Sequence, residues 1–98
     1  MRPLAVIRGA GDLATAAGRR LHLCGFSVVC LEIAQPTVIR RSVAFASAVF
    51  DGRITVEDVT AILARDASEA RGVVQAGQVA VLVDPEAKSV RALRPVLV

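Results

Sequence analysis

The chain contains no tryptophan, no tyrosine and only three phenylalanines, so neither a base-stacking surface nor an aromatic core is written in it. Lys88 is the single lysine among 12 basic residues, and His22 is the single histidine. There is no basic run of the kind that grips nucleic acid and no multi-histidine metal centre. The two cysteines, Cys24 and Cys30, fall outside any C-x-x-C pattern; this excludes a zinc framework or a disulfide scaffold and predicts buried, reduced thiols. No apolar run approaches the roughly 20 residues that span a bilayer, and the opening MRPLAVIRGAG enters a strand and turn rather than a secretory leader. A cytoplasmic protein with no membrane partner is expected.

What is present is aliphatic. Of 98 residues, 54% are hydrophobic, mostly Val, Ile, Leu and Ala, which suits a parallel sheet buried on both faces. Residues 1–98 make one small domain, and a chain of this size buries only about 60 to 70% of the surface its unfolded form exposes. A partner or a homodimer contact therefore matters to it. The net charge of +3 is carried almost wholly by arginine, whose fork suits phosphate or carboxylate, so a small anionic ligand is favoured over nucleic acid.

Along the chain, LAVIR (residues 4 to 8) reads as a buried strand entering Gly9. From Leu13, the positions Ala16, Ala17, Leu21 and Cys24 recur at helical spacing, predicting a helix that packs on this face and stops at Gly25. FSVVCLE (26 to 32) is a second strand, completing a βαβ unit. Pro36 stands at the entrance of a second helix with Ile39, Val43, Ala46 and Phe50 on one face, ended by Asp51 and Gly52. ITV and VTAILA flank Glu57 and Asp58 as a hairpin; the alternative is a helix through VEDVTAILARDASEA. DASEARGVVQAG predicts a helix capped by Asp66 or Ser68, QVAVLVD a buried strand, and SVRALRPVLV a strand demoted to an edge by Pro95. The fold expected is α/β: a small Rossmann-like domain with a mostly parallel sheet, helices on its faces and a hairpin.

The stretch VIRGAGDLATA carries the chemistry. Gly9, Gly11 and Ala14 match G-x-G-x-x-G/A between a strand and a helix, the setting in which backbone approaches a pyrophosphate. Glu32 ends the second strand 21 positions after Gly11, where a carboxylate accepts ribose hydroxyls. Asp12 departs from the pattern. It either caps the helix N-terminus, contacts an amino or hydroxyl group of a ligand, or helps bind a metal. Arg40 and Arg41, near a predicted helix N-terminus, oppose its dipole and call for an anionic partner, which is Glu32, Asp12 or a ligand phosphate. Arg8, Asp12, Glu32 and Arg40 are expected to converge at the carboxyl ends of the strands. No nucleophile and base pair is visible, so no catalytic residue is assigned and enzymatic activity stays open; no metal ligand set is assigned either.

The run RGAGDLATAAGRRLHLCGF, the block VCLEIAQPTVIRRSVAFASAVFDG, the VED turn, and VAVLVDP followed by LRPVLV together resemble the N-terminal portion of the YqeB-like accessory proteins of selenium-dependent molybdenum hydroxylases. The block from Glu32 to Phe45 is the most specific part. The resemblance implies Gly9, Gly11, Asp12, Glu32, Pro36, Arg40 and Arg41 as site residues, and a longer parent chain of which residues 1–98 are the N-terminal fragment. It also implies a role in maturation of the molybdenum cofactor, with the hydroxylase apoprotein as a partner. A more distant likeness is to the xanthine dehydrogenase accessory proteins. The ligands this admits are a nucleotide, molybdopterin dinucleotide or NAD. The alternatives are the NAD-binding domain of an oxidoreductase, and a docking module that uses the apolar edge near LRPVLV with no small ligand.

Overall fold

The computed structural model describes residues 2–37 and 41–95. Five strands form one mixed sheet: β1 (Leu4–Arg8), β2 (Ser27–Glu32), β3 (Arg53–Val56), β4 (Val59–Ala64) and β5 (Val79–Val83). Their order is β1-β2-β5-β4-β3. The pairs β1–β2, β2–β5 and β5–β4 are parallel, and β3 is antiparallel to β4. The register aligns Val6, Val29, Ala80 and Ile62 in one row across the sheet.

Successive side chains of a strand point to opposite faces, and here both faces are covered, which is why the strands read as continuous apolar runs. Val28, Cys30, Val79 and Val81 pack with Phe45, Ala46 and Ala61 on one face. Val29, Leu31, Ala80 and Leu82 pack with Ala70 and Leu93 on the other. The first face is roofed by helix α1 (Asp12–Leu23) and the segment around Phe45; the second by α3 (Ala67–Gln75) and the short α4 (Val90–Leu93), with the single turn α2 (Ala48–Asp51) preceding β3. Phe45 is fully buried, which contributes about 1.5 to 3 kcal/mol relative to exposure.

The hairpin reading of Glu57 and Asp58 holds, and α3 is capped by Asp66, whose carboxylate accepts the Glu69 amide at 2.8 Å. Four local expectations change. The face that α1 turns inward is Thr15 and Gly18, with Leu21 half-buried, while Ala16, Ala17 and Cys24 are exposed and Leu13 is 89% exposed. A Cβ on Gly18 would stand 3.4 Å from Ile7 and Phe45, so this position lies directly against the side chains of the sheet and the Phe45 segment. Cys24 is consequently an exposed thiol, and only Cys30 is buried.

The predicted second helix is replaced by two 3-10 turns, Arg41–Val43 and Phe45–Ser47, leading into α2. Ala44 is extended (φ −123°, ψ 129°), and the amides of Phe45 and Ala46 bond to Thr15 and Ala10 instead of to the preceding turn. Phe45, not Phe50, enters the core; Phe50 is 47% exposed, and Ile39 lies outside the described residues. In the tail, Val90–Leu93 is helical and ends at Arg94 in the left-handed region (φ 52°) just before Pro95. Among the described residues no helix is long and apolar enough to cross a membrane.

Candidate functional site at the glycine turn

The carboxyl ends of β1, β2 and β5 open into one cleft of about 130 Å³, lined by Arg8, Gly9, Leu31, Glu32, Ile33, Asp84 and Pro85. Gly9 turns the chain out of β1 with φ +102°, a conformation that a side chain would strain, and its N–H donates to Leu31 O at 2.6 Å. Beyond it, Ala10 is fully buried and held from both sides. Its N–H donates to Glu32 Oε2 at 2.8 Å, and its carbonyl accepts from Ala46 N at 2.8 Å and from the Thr15 hydroxyl at 3.0 Å. Thr15 Oγ1 in turn accepts the Phe45 amide at 2.9 Å.

Glu32 is fixed by two backbone donors, since its other oxygen, Oε1, accepts the Ile33 amide at 2.9 Å. The end of β5 mirrors this arrangement. The Asp84 amide donates to Glu32 O at 2.9 Å, while its carboxylate accepts from Lys88 N at 3.0 Å, Ser89 N at 2.7 Å and the Ser89 hydroxyl. Partial burial alone would push the Asp84 carboxyl up, but the Ser89 and Lys88 hydrogen bonds outweigh it and hold the pKa below the ordinary carboxylate value. On the far side of the sheet end, burial, reinforced by the nearby Glu32 charge, pushes the Cys30 thiol up to about 12. Arg8 reaches across to donate to Pro85 O at 3.1 Å.

Gly11 follows as the N-cap of α1, with φ −73° and no side-chain cap, and nothing stands within 4 Å of where its Cβ would be. Asp12 lies beyond it, on a second cavity of about 560 Å³ lined by Asp12, Thr15, Arg19, Arg20, Val43 and Glu57 among others. There, Arg19 Nη2 sits 2.9 Å from Glu57 and 3.1 Å from Asp58.

The structure therefore brings Arg8, Gly9 and Glu32 together, with Gly11 next to them at the head of α1, and sets Asp12 on the adjoining cavity. Pro36 is buried, Arg41 opens a 3-10 turn, and Arg40 lies outside the described residues. Two residues that sequence reasoning passed over belong here, Thr15 and Asp84. Asp84 carried a signal, since an acid ending a buried strand just before a proline sits where open α/β sheets place ligands. Among the described residues, no three His, Cys, Asp or Glu side chains gather as a metal site.

The chain is similar to the uncharacterized protein YqeB of Escherichia coli (strain K12), with 50% identity over 95 residues that make up 97% of this chain. It spans 18% of that protein's length. No protein-family model matches the chain, and no solved structure does.

Proposed function

We propose that this chain is a Rossmann-like module that binds the phosphate-bearing part of a nucleotide or pterin dinucleotide at its glycine turn, within an accessory or maturation factor for a molybdenum hydroxylase. The observation that carries the ligand reading is Gly11. Gly9 needs glycine for its positive φ, but Gly11 has an ordinary φ and open space around it, at an N-cap where Ser, Asp or Asn would stabilise the helix somewhat more. At the head of a helix next to the cleft, a glycine the fold does not itself require leaves the backbone open to a ligand's approach.

Glu32 supports the same reading, because two backbone amides hold its carboxylate at the rim of the cleft, ready to accept hydroxyl donors. The molybdenum-hydroxylase context is supported by the resemblance centred on Glu32 to Phe45. A second reading, the NAD-binding domain of an oxidoreductase, is favoured by Glu32 specifically, since a carboxylate at the end of β2 suits a ribose diol and repels a 2′-phosphate.

The test is thermal shift with NAD, NADP, ATP, CTP and a molybdopterin dinucleotide preparation, on wild type and Gly11→Val, because a ligand specific to the native state raises Tm by mass action. Stabilisation of wild type by the cytidine or pterin ligands, lost in G11V measured against its own ligand-free Tm, which the poorer N-cap lowers modestly, is the expected result. Stabilisation by NAD alone favours the oxidoreductase reading. Equal binding by G11V, or no shift with any ligand, overturns the glycine-turn site.

A further inference from the structure

We propose that Thr15 is a positioning residue for the glycine-turn site: one buried hydroxyl ties the Ala44–Ala48 segment to the turn and sets which way Ala10 faces. The inference rests on the ligand reading of that turn and adds to it the residue that keeps the turn in a receptive shape.

Thr15 is 3% exposed and stands on the inward face of α1, where an apolar side chain would ordinarily lie. Its hydroxyl is satisfied in both senses, donating to Ala10 O at 3.0 Å and accepting from Phe45 N at 2.9 Å. The Ala46 amide joins it on the same carbonyl at 2.8 Å. With that carbonyl held in the core, the amide on the other side of the Ala10 Cα donates to Glu32 Oε2 at 2.8 Å, the carboxylate that lines the cleft. Three hydrogen bonds thus run in series from the buried Phe45 amide, through Thr15 and the Ala10 backbone, to the carboxylate that lines the cleft.

The series also joins two pieces of chain that no regular ladder connects. Residues Ala44–Ala48 are wholly buried yet form no strand, so side-chain and backbone bonds to the glycine turn are what register them against α1. The same segment follows directly from the 3-10 turn that begins at Arg41.

Valine matches threonine in shape but removes the hydroxyl, leaving the Phe45 amide without an acceptor and the Ala10 carbonyl with one donor fewer. Serine keeps both bonds. The experiment compares wild type, Thr15→Val and Thr15→Ser by titration with NAD and with CTP, by thermal melting, and by amide NMR of Ala10 and Ala46. A carboxylate acceptor moves the Ala10 amide to low field, so that resonance reads the turn directly and is not moved by a uniform loss of stability.

The expected result is that T15V, while folded, loses the low-field Ala10 amide and binds the probe about tenfold more weakly, and that T15S restores both. Unchanged Ala10 and Ala46 amides in folded T15V overturn the proposal, as does failure of T15S to rescue. Should wild type bind neither probe, the ligand reading fails by itself, and the amide comparison alone upholds or overturns Thr15 as the residue that orients the turn. Should T15V not fold, Thr15→Cys, with its weak thiol donor, serves for the same comparison.

Discussion

The carboxylate of Glu32 accepts the amide of Ala10 at 2.8 Å across 22 residues of sequence, joining the end of β2 to the turn that leaves β1. Its second oxygen takes the Ile33 amide, so both oxygens face N–H donors. Glu32→Gln replaces one of those acceptors with an NH₂ that meets a donor head-on. The variant is expected to lose about 1 to 3 kcal/mol of stability in urea denaturation, a larger effect than an exposed carboxylate would give. A loss below about 0.5 kcal/mol, typical of a surface change, contradicts the arrangement.

The Asp84 carboxylate gives stability a pH dependence whose sign follows from its partners. Its folded pKa is depressed below 3.8 by the Ser89 and Lys88 hydrogen bonds acting against desolvation, so the stabilisation is present above that value and disappears as pH falls through the folded pKa. Asp84→Asn is therefore expected to flatten the acid limb of the stability curve below about pH 4 and to fray α4, whose approach it anchors. Identical acid limbs for wild type and D84N in denaturation from pH 2 to 6 exclude the linkage.

Glycines on this chain separate into positions that need the residue and positions that do not. Gly72 lies inside α3 with no atom within 4 Å of its Cβ site, so Gly72→Ala is expected to raise stability by about 0.5 to 1 kcal/mol through helix propensity. Gly9→Ala, at φ +102°, is expected to lower it by about 1 to 2 kcal/mol from backbone strain. Paired denaturant midpoints check both signs at once.

The two thiols differ in reach. Cys24 is exposed, whereas Cys30 is buried with its pKa raised to about 12. Only the thiolate attacks, so Ellman's reagent at pH 8 is expected to modify Cys24 alone in the native chain and both cysteines after unfolding. Cys24→Ser then abolishes the native reaction. Fast native modification of Cys30 contradicts the closed face beneath Phe45.

The βαβ unit and the hairpin were legible because their signals are local: apolar runs, a Gly9 turn, and two polar residues between β3 and β4. The stretch leading to Phe50 was not. Its amides are claimed by Ala10 and Thr15, partners more than 25 positions away, and helical spacing carries no trace of them. The inward face of α1 was misread for a related reason, since Thr15 is held there by a hydrogen bond and Gly18 carries no side chain, and neither scores as hydrophobic. At the site, Gly9 and Glu32 stood out through spacing and residue type. Thr15 gave no such signal, because its role exists only once Phe45 has come back over the turn.

β5 is the last strand along the described residues and the middle strand of the sheet, hydrogen-bonded on one side to β2 and on the other to β4. The β1–β2 pair and the β3–β4 hairpin therefore share no strand contact until Val79–Val83 slots between them. Neither strand pair can join the other without β5, and a two-stranded pair alone is marginally stable, so the sheet becomes continuous only when β5 pairs on both sides. Assembly is thus gated by a late, long-range pairing, the kind that pays its loop-closure entropy before any contact repays it.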